Sequence, residues 1–282
     1  MKLLRYGPTG REMPAMLDAD GQPRDLSSVV GDIDAGAVST DGLARIAAVD
    51  PATLPLVEGS PRIGPCVAGT RTFLAIGLNY HDHAQETGNP IPTEPILFMK
   101  ATSSIAGPND DLPMPRDATK LDWEAELGVV IGGVCRYVSV DEALDRVAGY
   151  CVVNDVSERA FQFDRGGQWV KGKSADGFGT VGPWLVTADE VGDPQALDIF
   201  LEVNGERCQS GTTANMIFGV AEIVSYVSRF MTLRPGDIVT TGTPAGVGHG
   251  RTPPKYLAVG DALRLGIHGL GEQHYNVGPP AS

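Results

Sequence analysis

The sequence contains no Cys-x-x-Cys pair, no block of like charges and no apolar run near the ~20 residues that span a bilayer. Each absence excludes something. The four cysteines, Cys66, Cys135, Cys151 and Cys208, sit at no metal-binding or redox spacing. Cys135 and Cys151 lie in apolar surroundings and read as reduced core residues, which fits a cytoplasmic protein. The opening MKLLRYGPTG has only two leucines before charge and glycine intervene, so no secretory signal is expected. Basic residues are scarce, with 22 Lys and Arg against 35 Asp and Glu and a formal net charge of -13. That balance argues against nucleic acid, which rewards Lys/Arg clusters. It says little about a small anionic substrate, because local potential decides that. The glycine-rich TTGTPAGVG, residues 240–248, lacks the GK[ST] of a phosphate loop. There is no internal repeat and no low-complexity segment.

What is present is a turn-rich chain of 282 residues with 36 glycines, 21 prolines and 42% hydrophobic residues. Few stretches have helical periodicity, so the expectation is a mainly β protein with some α, an α+β fold. Residues 1–68 look like a small N-terminal domain, rich in Asp, Gly, Ala and Pro and closed by Pro51, Pro55, Pro61 and Pro65. Residues 69–282 form the main domain. Within it FLAIGLNY, PILFMK, LGVVIGG, CVVND, PWLVT, DIFLEVNGE, DIVTTG and ALRLGIHG read as strands. HDHAQETG has room for one or two helical turns before Gly88 and Pro90. SVDEALDRVAGY reads as a helix with a capping box from Ser139 to Glu142 and Gly149 near its end. MIFGVAEIVSYVSRFMTL reads as one long amphipathic helix.

The stretch LDWEAELGVVIG, residues 121–132, puts Glu124 and Glu126 at the head of an apolar run. On a strand, positions two apart face the same way, so both acids would point at one spot. Such a pair is costly unless a cation joins it. The strand, capped helix and strand that follow deliver Asp155 to the same end. Three converging carboxylates make an oxygen-only site suited to Mg²⁺ or Mn²⁺. No His or Cys lies at ligand spacing to suggest zinc. Spacing alone leaves the alternative open, in which the glutamates face solvent on an edge strand and Asp155 caps a turn. Downstream, residues 154–184 are long, polar and dense in donors, among them Arg159, Gln162, Lys171 and Lys173. Such loops carry function more often than bare connection.

At this point a family resemblance is plain. GLNYHDHAQETG, PILFMKATSSIAGP, LDWEAELGVVIG, GYCVVNDVSERAFQ, WVKGKSADGFGTVGPW, NGERCQSGTTANMIF and LRPGDIVTTGTPAGVG occur in the order found in the fumarylacetoacetate hydrolase family. They cover roughly residues 70 to 282. The resemblance implies a mixed β-roll catalytic domain, a homodimer and a divalent metal. It implies Glu124, Glu126 and Asp155 as ligands. His83 and Glu86 match the family's catalytic pair on a mobile lid bracketed by Gly88, Asn89, Pro90 and Pro92. Lys173 and Gln162 match substrate-facing positions, Lys173 as a catalytic positive charge for a developing oxyanion or a substrate carboxylate, and Thr243 matches the loop that holds the substrate carboxylate. Tyr80 and Arg159 are further substrate-binding candidates, Arg159 with a structural pairing to Asp155 or Glu158 as its alternative. His81 lies on a different helix face and is left out. The long loop resembles most the 2,4-diketo-3-deoxy-rhamnonate and -fuconate hydrolases. It departs from them at GKSADGF, where that branch reads GKCDTF, and at QSGTT, where it reads QxGNT. The implied reaction is hydrolysis of an acylpyruvate to pyruvate and a second acid, lactate for the rhamnonate case. Imidazole titrates near neutral pH, so His83 suits the removal of a proton from water, with Glu86 three residues on to orient it. An oxaloacetate decarboxylase or 2-oxo-acid isomerase on the same metal site is the alternative. It needs no attacking water.

Overall fold

The computed structural model describes residues 1–280. A ten-stranded sheet forms its backbone. Across it run Pro23–Asp25, Met13–Leu17, Lys2–Tyr6, Gly179–Thr187, Val147–Asp155, Ala125–Ile131, Ile238–Thr240, Phe73–Gly77 and Ile96–Lys100, with Ile105–Ala106 alongside Gly179–Thr187. A five-stranded sheet, Glu206–Thr212, Asp198–Val203, Ala262–Ile267, Gly271–Gly278 and Leu112–Pro113, packs against it. Parallel and antiparallel pairs are mixed in both. Mixed sheets with few helices make an α+β fold, as the sequence predicts.

Ala125–Ile131 shows why the core sits where it does. Every residue of this strand is buried. Leu127, Val129 and Ile131 face one way, into a cluster with Leu201, Val224 and Leu265 from the second sheet and the Val220–Ser228 helix. Val130 faces the other way, with Leu3, Ile46, Cys151 and Val153. A strand covered on both faces reads as a continuous apolar run, and period two still sorts its side chains. Gly128 takes the closest approach, where an added Cβ would lie 2.6 Å from Val153 and 2.9 Å from Cys151.

The N-terminal residues do not hang from a free linker. Lys2–Tyr6 pairs with Gly179–Thr187 and so extends the large sheet, and Leu3 and Ile46 share a core with Val130 and Val153. We keep residues 1–68 as a proposed N-terminal unit, joined to the catalytic unit by sheet continuation.

Two helices are shorter than their patterns predict. The segment from Ser139 carries its capping box but is helical only over Val140–Ala143, followed by a tight turn at Leu144–Arg146. Gly149 is no helix terminator. It lies in the strand Val147–Asp155, where a Cβ would fall 2.1 Å from the Val186 carbonyl oxygen. Sheet packing wins over the local helical signal here, as tertiary context often does. The long amphipathic stretch is helical only over Val220–Ser228, with the Glu222 carboxylate accepting from the Gly219 N–H at its start. All four cysteines are free thiols, three buried and Cys208 half-buried. Among the described residues no helix is long and apolar enough to cross a membrane.

Candidate metal and catalytic centre

Strand register assembles the acids. Ala125 pairs with Asn154 across adjacent antiparallel strands, and the Asp155 N–H donates to the Glu124 carbonyl at 2.9 Å. Asp155 therefore lies beside the two glutamates. All three side chains are buried, and one oxygen from each falls within 4.8 Å of the others. The alternative of solvent-facing glutamates is excluded.

Three buried cations surround the cluster. Lys173 Nζ reaches Glu124 Oε2 at 2.7 Å and Asp155 Oδ2 at 2.8 Å. Lys100 Nζ bonds Asp155 Oδ1 at 2.5 Å and the Lys173 carbonyl. Arg159 bridges Glu124 Oε1 at 2.7 Å and Asp122 Oδ2 at 2.8 Å, and its Nη1 donates to Gln162 Oε1 at 3.1 Å. Burial pushes the Glu124 carboxyl up, but Lys173 and Arg159 outweigh it and hold it below the usual range. Burial likewise pulls Lys173 and Arg159 down, and their acidic partners more than restore them. Glu126 is different. No Lys or Arg lies within salt-bridge reach of it among the described residues, and one oxygen accepts only the Gly242 N–H at 2.9 Å. Burial, then the neighbouring Asp155 and Glu124, push its carboxyl well above the usual range. A buried carboxylate facing two others, without its own counter-charge, is what a hard dication resolves. The donor set fits that group, and Glu124, Glu126 and Asp155 are placed where they could hold it.

The segment that carries His83 and Glu86 follows a pinned turn. Leu78 takes a left-handed φ of 51°, which ends the strand Phe73–Gly77, and the Asn79 side chain ties the turn to Phe218 and Thr241. The helix His81–Glu86 comes next, stopped by Gly88 at φ 67°. Its i,i+3 spacing brings His83 Nδ1 to 3.3 Å from Glu86 Oε2. His83 Nε2 takes no protein partner among the described residues, and His83 faces the cavity. The Glu86 carboxylate docks on the Gly246 N–H at 3.0 and 3.1 Å.

That docking depends on Gly250, where a Cβ would sit 2.6 Å from Glu86 Cδ. Gly250→Ala should therefore displace Glu86 while leaving the fold intact, because the Gly250 backbone needs no left-handed angle. The expected result is a loss of roughly 10- to 100-fold in kcat/KM with an unchanged melting temperature. Unchanged kinetics would show that the Glu86 seat is not used.

The glycine-rich loop after Ile238–Thr240 behaves differently from its expected role. Its N–H groups hold the protein's own acids. Gly242 donates to Glu126, Gly246 to Glu86, and Gly248 and His249 to Asp122. Thr243 lines the cavity, but its hydroxyl donates to the Ala125 carbonyl and accepts from Gln209. It braces the strand that carries Glu126. Tyr80, by contrast, is not on the cavity wall. It is fully buried at the start of the His81–Glu86 helix, and its hydroxyl has no partner among the described residues.

His83, Glu86, Glu124, Glu126, Arg159, Gln162, Lys173 and Thr243 all line one cavity of 440 Å³. Phe163 and Trp169 form an apolar wall, their rings edge to face at 6.2 Å. Gly172 allows this packing, since a Cβ there would meet the Glu158 carbonyl at 2.5 Å and Gln162 Cβ at 2.6 Å. Close approach of the helices Arg159–Phe163 and Val170–Lys173 is what points Gln162 and Lys173 at the same space. Sequence reasoning missed Asp122, Lys100, Gln209, His249 and Arg251. Asp122 had a signal, since it precedes Glu124 and Glu126 at the same two-residue spacing. Lys100 had a weaker one, as the lone charge ending the apolar strand Ile96–Lys100. Gln209 opens the QSGTT motif, which was its signal, and His249 and Arg251 had none.

The chain is similar over almost its whole length to known proteins. A Burkholderia multivorans protein that carries only a provisional hydrolase name is 61% identical over 274 residues, 97% of each chain. A fumarylacetoacetate hydrolase from Exiguobacterium antarcticum superposes with a TM-score of 0.88 at 37% identity, over 99% of each chain. Maleylpyruvate hydrolase from Sphingobium sp. SYK-6, solved with manganese(II) and pyruvate, superposes with a TM-score of 0.83 at 27% identity over the whole of both chains. Residues 72–277 match the family model described as fumarylacetoacetate (FAA) hydrolase C-terminal, and the chain belongs to this family of enzymes, which includes C–C bond hydrolases.

Proposed function

We propose that this protein hydrolyses the C–C bond of a 2,4-diketo acid, giving pyruvate and a second carboxylic acid. The observation that carries the reading is the buried Glu124–Glu126–Asp155 cluster, whose two glutamates line the same cavity as the His83–Glu86 pair. The cation that Glu124, Glu126 and Asp155 would hold, Mg²⁺ or Mn²⁺, supplies Lewis-acid polarisation of the substrate's carboxylate and 2-keto oxygens.

The chain's own residues do the rest. Glu86 fixes the His83 ring through Nδ1, leaving Nε2 to take a proton from the attacking water. The water oxygen bonds to the C4 carbonyl carbon. The C3–C4 bond then breaks with its electron pair on C3, and the proton held by His83 completes the methyl group of pyruvate. Lys173 places positive charge where negative charge develops. The Gln162 amide N–H₂ has no protein acceptor among the described residues and is free to bind substrate oxygen. Phe163 and Trp169 exclude bulk water. The tail beyond C4 is the hydroxylated one of the deoxy-sugar acids, as the long loop suggests, or another short polar group.

A second reading is 2-oxo-acid isomerisation or oxaloacetate decarboxylation, and solved isomerase structures favour the first of these. A probable 2-hydroxyhepta-2,4-diene-1,7-dioate isomerase from Mycobacterium abscessus superposes with a TM-score of 0.85 at 31% identity. The His83–Glu86 pair favours hydrolysis over decarboxylation, which needs no base; isomerisation also uses a base to move a proton, and pyruvate release separates it from hydrolysis.

Metal removal tests the reading. Chelated enzyme should release no pyruvate from 2,4-dioxopentanoate and should recover on addition of Mg²⁺ or Mn²⁺. Activity that survives complete chelation would sink the metal-dependent reading.

A further inference from the structure

Asp122 is fully buried and is not on the cavity wall, yet both of its oxygens are saturated with donors. Oδ1 accepts the N–H of Trp123 at 2.9 Å and of Gly248 at 2.7 Å. Oδ2 accepts the His249 N–H at 3.0 Å and two donors of Arg159, Nε at 2.9 Å and Nη2 at 2.8 Å. The backbone prepares this meeting. Leu121–Asp122 pairs with Ser157–Glu158, and the Arg159 N–H donates to the Lys120 carbonyl at 3.0 Å, so Arg159 starts its helix beside Asp122.

The two sets of donors lead to different halves of the site. Gly248 and His249 lie inside the stretch whose ends seat Glu86. Gly246 donates to the Glu86 carboxylate, and a Cβ at Gly250 would sit 2.6 Å from Glu86 Cδ. Pinning residues 248 and 249 therefore steadies the seat from which Glu86 holds His83. Arg159 leads the other way. Its Nη2 reaches Glu124 Oε1 at 2.7 Å as well as Asp122. A buried guanidinium left with Glu124 as its only acid would close on it. Asp122 is a standing counter-ion that lets Arg159 orient Glu124 and still leave its charge to a cation.

We infer that Asp122 is a positioning residue that holds the His83–Glu86 pair and Glu124 in register, one carboxylate steadying the proton-handling half and the cation-holding half together. It acts through the 246–250 loop on one side and through Arg159 on the other. Its kinetic consequences rest on the hydrolase reading, and its effect on cation affinity does not.

Asp122→Asn tests it. The amide keeps the shape, but it offers one acceptor oxygen and turns an N–H₂ toward donors. In Mn²⁺-loaded enzyme with 2,4-dioxopentanoate, kcat should fall about 10- to 100-fold, the cost of misplaced groups. KM should stay within about threefold, because the residue does not line the cavity. In a Glu86→Ala background the same substitution should cost less than about threefold in kcat, since the seat it steadies is no longer used. Mn²⁺ affinity, read by electron paramagnetic resonance of the free ion, should weaken about threefold or more in Asp122→Asn, as Arg159 turns to Glu124. It should be unchanged in Glu86→Ala. Gly248→Ala approaches from the loop and leaves the Asp122 charge in place. A Cβ there would lie 1.9 Å from the Lys255 carbonyl oxygen and 2.8 Å from Asp122 Oδ1. It should lose kcat in the same way, again only where Glu86 is present, and bind Mn²⁺ as the unaltered protein does. Equal kcat losses from Asp122→Asn with and without Glu86, unchanged Mn²⁺ affinity in Asp122→Asn, or full kcat in Gly248→Ala would overturn the inference. Failure of the hydrolase reading would show separately, as no pyruvate from unaltered Mn²⁺-loaded enzyme, and the Mn²⁺ affinities would then decide for or against Asp122 alone.

Discussion

Glu126→Ala should lose pyruvate release by about 10³-fold or more and lose its avidity for Mg²⁺ or Mn²⁺ with it. The size follows from the several kcal/mol that a metal supplies to a developing negative charge. Glu126 is the informative ligand because Glu124 and Asp155 each have protein cations, and Glu126 has none in salt-bridge range. Glu126→Gln separates charge from shape. Burial, Asp155 and Glu124 hold the Glu126 carboxyl above its ordinary value in the metal-free fold. A raised folded-state value means that the folded protein binds the proton more tightly than the unfolded chain. Its contribution is fully present below the unfolded value, about 4.3, and is lost as pH rises toward the folded one. At neutral pH, then, metal-free Glu126→Gln should melt higher than metal-free wild type. Saturating metal should reverse the order, because ligand bound to the native state stabilises it. Thermal melts of both proteins with chelator and with Mn²⁺ check this. A variant that kept full activity and metal affinity would refute the assignment of Glu126 as a ligand.

His83→Ala should cut hydrolysis of a 2,4-diketo acid by roughly 10²- to 10⁴-fold, the usual contribution of a positioned base. Metal binding should be unchanged, since His83 bonds none of the three acids. Any oxaloacetate decarboxylation the enzyme shows should largely survive, because no water has to be activated. Steady-state kinetics on both substrates give the answer in one experiment. Equal loss on both would mean that His83 binds substrate and does not act as a base. Glu86→Gln should reproduce part of the His83 effect by releasing the ring, again with metal affinity intact.

Much of this was legible in the sequence because it rests on short-range rules. Two-residue spacing put Glu124 and Glu126 together, and three-residue spacing put Glu86 beside His83. Asp155 was legible through the strand, helix, strand order, although the helix turned out to be four residues and a turn. The contributions that were hidden come from distant chain. Lys100 meets Asp155 across 55 positions, and Gln209 reaches Thr243 across 34. No local period encodes such meetings. The glycine loop misled in a specific way. The resemblance assigned it to the substrate carboxylate, and the carboxylates its N–H groups hold are Glu126, Glu86 and Asp122 of the chain itself. Tyr80 misled because its neighbours are catalytic in pattern, whereas its own side chain is packed in the core.

The most direct test of the account is a product balance on metal-loaded enzyme with 2,4-dioxopentanoate. Pyruvate and acetate appearing in equal amounts, without carbon dioxide and only while the metal is present, is the result that metal-dependent C–C hydrolysis predicts. An isomerised or decarboxylated product, or no change of the substrate at all, would contradict it.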